Sequence, residues 1–336
     1  MKTRLFLAVA LLLCLGCASE VEAPAEAELA TPPLPLPDYT LSADNTHNKF
    51  SRTIPAVLTV PAGAIVELET QEATGGQLSS GSNAQDLMSL DFDLIHALTG
   101  PIHVETAMPG DVLAVTLHDL RVKDWAWTAI SPGFGFLADE FTDSAIKIFS
   151  FSPGDTHARF SDNIRIPLRP FAGVIGVAPE TDEMLTTIPP RANGGNMDDR
   201  DIVAGTTVYL PVFVEGALFS IGDTHAAQGD GEVCGTAIEA PMDILLELNV
   251  IKGGRSIEEP QYETDEDYAV TGFGETIDGA AQKAARYMID YLVDEHGLDR
   301  EEAYMLASVA AHMKIAETVD VPHMLVTMRI PKSIFN

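Results

Sequence analysis

One short run of the chain gathers ionisable groups: GDTHAAQGDGEVCGTAIE, Gly222 to Glu239, holds Asp223, His225, Asp230, Glu232, Cys234 and Glu239 among small residues. Asp223 and His225 stand two apart. If the strand-like ALFSI run continues through them, both side chains leave one face. A carboxylate and an imidazole so placed can share a divalent cation, and zinc suits mixed oxygen and nitrogen ligands, with calcium or magnesium as the alternatives. Gly229 and Gly231 flank Asp230 and allow close backbone approaches that would deliver Glu232 to the pair. A glutamate there suits a general base that later serves as general acid. Ordinary turn chemistry and a solvated loop acid would account for the same residues without catalysis. Cys234, in VCGTAI, fits a small buried residue better than a thiolate nucleophile, but both remain open.

Two further segments can line the same cleft. LDFDLIHALTGP supplies Asp91, Asp93 and His96, and PPRANGGNMDDR supplies Arg191, Asn193, Asn196 and Asp198 around a Gly-Gly turn. Asparagine both donates to and accepts from a primary amide, which suits Asn193 and Asn196 to a small polar amide, although turn formation explains them equally. The pentapeptide GDTHA occurs twice, at Gly154–Ala158 and Gly222–Ala226. Only the second copy is embedded in further acids and glycines; His157 is followed by Arg159, whose charge would disfavour a cation.

The elements that must position these groups are mostly strands. IPAVLTV (54–60), AIVELET (64–70), DVLAVTLHDL (111–120), AIKIFSF (145–151), TTVYLPVFVE (206–215) and DILLELNVI (243–251) are rich in β-branched or apolar residues and bounded by Gly, Pro or Asp. Many short strands without regularly alternating helices predict a mainly β fold of sandwich or barrel-like modules, closed by a C-terminal helical pair within 276–313, α+β overall. Ile277, Ala281, Ala284, Met288 and Leu292 share one helical face before Gly297. Ala303, Leu306, Ala307, Ala310 and Met313 form a second stripe after Asp299.

The 50 acidic residues against 20 basic ones give a net charge of −30 and argue against nucleic acid as a partner. Lys2, Arg4 and the apolar stretch 5–15 have the form of an export signal too short to span a bilayer. Gly16-Cys17 resembles the end of a lipobox, so residues 1–17 are expected to be removed up to a lipidated Cys17. Residues 18–38, rich in Pro and Glu, then form a tether to a catalytic body at 39–336. The expected location is the bacterial cell envelope, with membrane contact only through the anchor, and a homo-oligomer is expected.

The segments HNKFSRTIPAVLTVPAG, DFDLIHALTGPIHVETAMPGDVLAV, FGFLADEF, RIPLRPFAGVIGVAP, IPPRANGGNMD, LPVFVEGALFSIGDTHAAQGDGEVCGTAIEAPMD and EEAYMLASVA together resemble the acetamidase/formamidase family, from about His47 to the C-terminus. The resemblance implies hydrolysis of short carboxamides to carboxylate and ammonia at a site that holds a divalent metal. It also implies that His96, Asp93, Asn196 and Asp198 belong to that site. The expected ligand set is then Asp223, His225, His96, Asp93 and Asp198. Glu232 is the proton carrier beside Asp223 and His225, and Asn193, Asn196 and Cys234 face the substrate. Two rivals are an amidase that uses Cys234 as nucleophile and a tethered, non-catalytic module that binds calcium.

Overall fold

Along Ala64–Glu69, buried and partly exposed positions alternate strictly, as they must in a strand with one face on a core. The same logic builds the rest of the chain. The structure is a computed structural model that describes residues 33–253 and 256–335. The leader and most of the tether therefore lie outside the described residues. From Leu34 onward the chain is a single compact unit, and Asp38 already joins it through its backbone N–H to the Ile65 carbonyl, at 2.8 Å.

The fold is mainly β with a C-terminal helical pair, as expected. A nine-stranded sheet runs Tyr39–Leu41, Ala64–Glu69, Met242–Ile251, Val112–Val122, Thr207–Pro211, Gln261–Glu263, Asp267–Gly274, Met324–Pro331 and His312–Glu317. A second sheet runs Gly194–Asn196, Phe171–Gly176, Phe219–His225, Leu98–Val104 and Thr46–His47, with Leu58–Val60 also paired to Leu98–Val104. Val66, Leu68, Val115, Leu117, Leu246 and Leu248 of the first sheet share one core with Ile102, Ile175, Phe219 and Ile221 of the second. Each such fully buried apolar side chain contributes about 1.5–3 kcal/mol from burial.

Helix Ile277–His296 starts where the Thr276 side chain accepts from the Gly279 N–H and stops at Gly297 in the left-handed conformation. Its Ala284, Met288 and Leu292 pack against Tyr268, Val270 and Met328 of the large sheet. Close approach requires Gly272, where a Cβ would stand 2.5 Å from the Ala280 carbonyl oxygen. The second helix, Arg300–Ala310, ends before Met313. Met313 lies in strand His312–Glu317 and is 48% exposed, so it leaves the helical stripe read from sequence. Backbone pairing with Met324–Pro331 outweighs its helical spacing. Among the described residues no helix is long and apolar enough to cross a membrane.

Candidate active site

Strand Phe219–His225 is buried along its whole length, between Phe171–Gly176 and Leu98–Val104. It ends in Asp223 and His225, whose Oδ2 and Nε2 are 3.6 Å apart. His96, from the segment that enters Leu98–Val104, brings its Nε2 to 3.7 Å from the same Asp223 oxygen. Asp198, just beyond Gly194–Asn196, places Oδ1 3.6 Å from His225 Nδ1. Three separated stretches thus converge because their strands lie in one sheet, with only Phe171–Gly176 between Gly194–Asn196 and Phe219–His225. Gly173, on the adjoining strand, makes the room: a Cβ there would stand 2.3 Å from Asp198 Oδ1 and 2.8 Å from His225 Cε1.

Backbone conformation marks the same place. Six described non-glycine residues have positive φ, and three are Asp198 (44°), Asp223 (49°) and Glu232 (42°). Left-handed backbone costs an ordinary residue about 1–2 kcal/mol, and such strain concentrates where geometry serves function. Packing from the C-terminal region sustains it at Glu232. The Gly231 N–H donates to the Ala316 carbonyl at 2.7 Å, and the Thr318 hydroxyl donates to the Gly231 carbonyl at 2.8 Å.

A further ring of acids closes the site. His225 Nε2 is 3.0 Å from Glu239 Oε2, and Asn196 Nδ2 donates to Asp320 Oδ2 at 2.7 Å. One Glu317 oxygen accepts from the Val319 and Asp320 N–H groups. Ligand atoms of Asp198, Asp223 and His225 lie within 4.8 Å of one another, as do those of His225, Glu232 and Glu239, and those of Asp198, Glu232 and Asp320. Both Asp198 carboxylate oxygens, Asn196 Oδ1 and Glu317 Oε1 are buried without a hydrogen-bond partner. Buried groups of this kind are satisfied by ions or water, and the mixed imidazole and carboxylate donors fit a divalent cation.

Burial, joined by the nearby Asp198, pushes Glu232 well above the usual carboxylate range. Burial also raises Glu239 to about 7 against the opposing pull of His225, and raises Asp198. Asp223 moves the other way, since His96 and His225 together overcome its burial. Burial alone would lower His225, but the Glu239 and Asp223 carboxylates hold it well above its ordinary value. Asp223 is thus shifted in the opposite direction from the carboxylates around it, and such divergence among neighbouring acids marks sites of acid–base chemistry.

These groups face a cavity of about 60 Å³ whose other wall is apolar, formed by Leu90, Phe92, Trp127, Phe134 and Ile188. At about 10–15 Å³ per water-sized position it holds some four to six such positions, which matches a ligand of few non-hydrogen atoms. The buried Glu72 carboxylate fixes one wall by accepting from Trp127 Nε1 at 2.9 Å and the Thr74 hydroxyl at 2.7 Å.

Of the residues read from sequence, His96, Asn196, Asp198, Asp223 and Glu232 line this cavity and His225 lies directly behind it. Three do not join them. Asp93 is exposed in a short turn, with its backbone carbonyl bound by Lys49 and Asn48, and is not among the residues that line the cavity. Asn193 spends its amide on the Val177 carbonyl at 2.7 Å and holds a turn. Cys234 is half-buried, and its sulfur contacts the Thr236 carbonyl at 3.4 Å, away from the imidazoles and carboxylates described above. Its neighbours Gly235 and Thr236 line the cavity in its place. Glu239, Asp320 and Glu317 were not read as site residues. Glu239 closes the acid-rich run and was legible there, whereas AETVDVP offers no local sign. The first GDTHA copy runs from a turn at Gly154 into the short strand His157–Arg159, where His157 is exposed and bonded to the neighbouring Thr156 hydroxyl.

The acetamidase/formamidase family pattern matches residues 38–186 and 181–336. The acetamidase of Mycolicibacterium smegmatis is 30% identical over 291 residues, 65% of this chain and 71% of its own. The formamidase of Methylophilus methylotrophus is 27% identical over 365 residues, 86% and 89% of the two chains. A crystal structure of a predicted acetamidase/formamidase from Thermoanaerobacter tengcongensis superposes with a TM-score of 0.83 at 34% identity, covering 88% of this chain and 96% of that one. A buried, acid-rich site on a matching fold leads to one conclusion: this chain belongs to the acetamidase/formamidase family and is an amidohydrolase.

Proposed function

We propose that the enzyme hydrolyses short-chain carboxamides such as formamide and acetamide, with a divalent cation, zinc, held by Asp198, Asp223, His225 and His96. The observation that carries this reading is the pair of partnerless, fully buried Asp198 oxygens beside two imidazoles and Asp223. Held there, a cation would supply a Lewis acid for the amide carbonyl and would lower the pKa of water enough to furnish a nucleophile near neutral pH. Glu232, at the cavity wall, takes the proton from the attacking water and returns it to the departing ammonia. Asn196 Oδ1 accepts from the substrate NH₂ group, and the apolar wall receives the acyl substituent. The small cavity supports short acyl groups.

The decisive experiment is ammonia release from formamide, acetamide and longer amides by purified protein, before and after chelation and after zinc is restored. Turnover that survives complete metal removal would sink the cation reading and return attention to Cys234. The reading extends to location: Lys2, Arg4, the short apolar stretch and Gly16-Cys17 support export and lipid anchoring in the cell envelope. Mass spectrometry of envelope protein should find an acylated Cys17 as N-terminus; an unmodified N-terminus beyond residue 17 would remove the anchor.

A further inference from the structure

Gln228 stands three residues after His225 and is buried behind the site. It makes two hydrogen bonds: Nε2 donates to the Asp198 backbone carbonyl at 2.7 Å, and Oε1 lies 2.9 Å from His225 Nδ1. The pair admits one assignment of hydrogens. A carbonyl only accepts, so the Gln228 NH₂ must face Asp198. Its Oε1 then faces His225, and because that oxygen also only accepts, Nδ1 must carry the hydrogen. The backbone around Gln228 is fixed, since the Ala226 N–H donates to the Ile238 carbonyl at 2.8 Å and the Ile238 N–H donates to the Ala227 carbonyl at 3.0 Å. The second His225 nitrogen, Nε2, is consequently the one turned toward Asp223 and Glu239.

We propose that Gln228 is a positioning residue that locks His225 with its hydrogen on Nδ1, so that Nε2 is reserved for the cation and Asp198 Oδ1 is kept free to join it. The competing acceptor is at hand: Asp198 Oδ1 lies 3.6 Å from Nδ1 and has no other partner. Without Gln228 the Nδ1 hydrogen turns to that oxygen and withdraws a ligand atom. Outer partners that orient a ligating histidine in this way influence metal affinity by about 10–100-fold. The inference rests on the cation reading given above, and its test separates the two.

Gln228→Met keeps the length of the side chain and removes both hydrogen bonds, whereas Gln228→Glu restores an acceptor for Nδ1. Zinc affinity is measured by chelator competition on the folded variants, with circular dichroism as the check on folding. The expected result is a loss of about 10–100-fold in Q228M and recovery to within about threefold of the wild type in Q228E. Wild-type affinity in Q228M, or an equal loss in both variants, overturns the proposal. ¹⁵N-histidine spectra of the metal-free wild type, taken at a pH where the His225 ring is neutral, supply an arm independent of zinc: the hydrogen should sit on Nδ1, and a bare Nδ1 overturns the assignment. A wild type that binds no zinc defeats the cation reading alone, and the ¹⁵N spectra then decide the role of Gln228.

Discussion

The repeated pentapeptide provides an internal control, because His157 and His225 share a local sequence and differ in everything around it. Replacing His225 by alanine removes a ring that is 1% exposed. It strips contacts from Gln228 Oε1 at 2.9 Å and Glu239 Oε2 at 3.0 Å, leaves Asp198 without the imidazole beside it, and leaves Asp223 with His96 alone. Breaking a buried ion pair costs about 3–5 kcal/mol. This is tolerable against the roughly 5–15 kcal/mol of a typical domain, so the variant should fold with a lowered melting temperature. His157→Ala touches an exposed ring and should stay within about 0.5 kcal/mol. The functional contrast should be larger: His225→Ala loses zinc and, with it, several powers of ten in ammonia release, about 1.4 kcal/mol of barrier for each power of ten. His157→Ala keeps both. Zinc content by mass spectrometry, ammonia release from acetamide and circular dichroism form the assay. Equal losses in two folded variants, or zinc retained by His225→Ala, would refute the placement of the site at the second copy.

Glu232→Gln should lower kcat for acetamide by about 10²–10⁴-fold with little change in KM, since it removes a proton carrier; an unchanged kcat would transfer that role to Glu239 or Asp320. Phe134→Ala, at the apolar end of the cavity, should raise kcat/KM for butyramide relative to formamide by about 10-fold or more, the value of one or two methylenes in a pocket, and an unchanged ratio would place the acyl group elsewhere. The metal-free protein should lose stability as pH rises from about 4.5 to 8. Glu239 and Glu317 titrate near 7 and 8 when folded and near 4.5 when unfolded, so the native state holds protons that the unfolded chain has released. Melting temperatures at pH 5, 6, 7 and 8 measure this, and zinc should offset the fall; a rise with pH would contradict the buried, protonated acids.

The strand-rich body and the helical pair were legible because apolar periodicity reports burial one element at a time. Met313 shows where that ends, since helical spacing continued into a residue that backbone pairing drew into the edge of a sheet. Asp223, His225 and Glu232 were readable because a carboxylate–imidazole pair, two glycines and an acid fell within ten residues. Asp93 and His96 sat in one segment and looked equivalent, yet the turn at Asp91–Leu94 sends one carboxylate to solvent while the following strand carries the imidazole inward. Nothing local separates them.

By itself, the sequence determined the family, the mainly β architecture and the run that supplies half the site. Only the tertiary structure could bring Asp320 and Glu317 to Asp198 across more than a hundred residues, or show that Gln228 holds His225 by one nitrogen. Sequence spacing fixes which groups share an element, but distance between elements is set by sheet order and packing. The chemistry of a buried carboxylate depends on that distance, on the excluded water and on which neighbours share its charge.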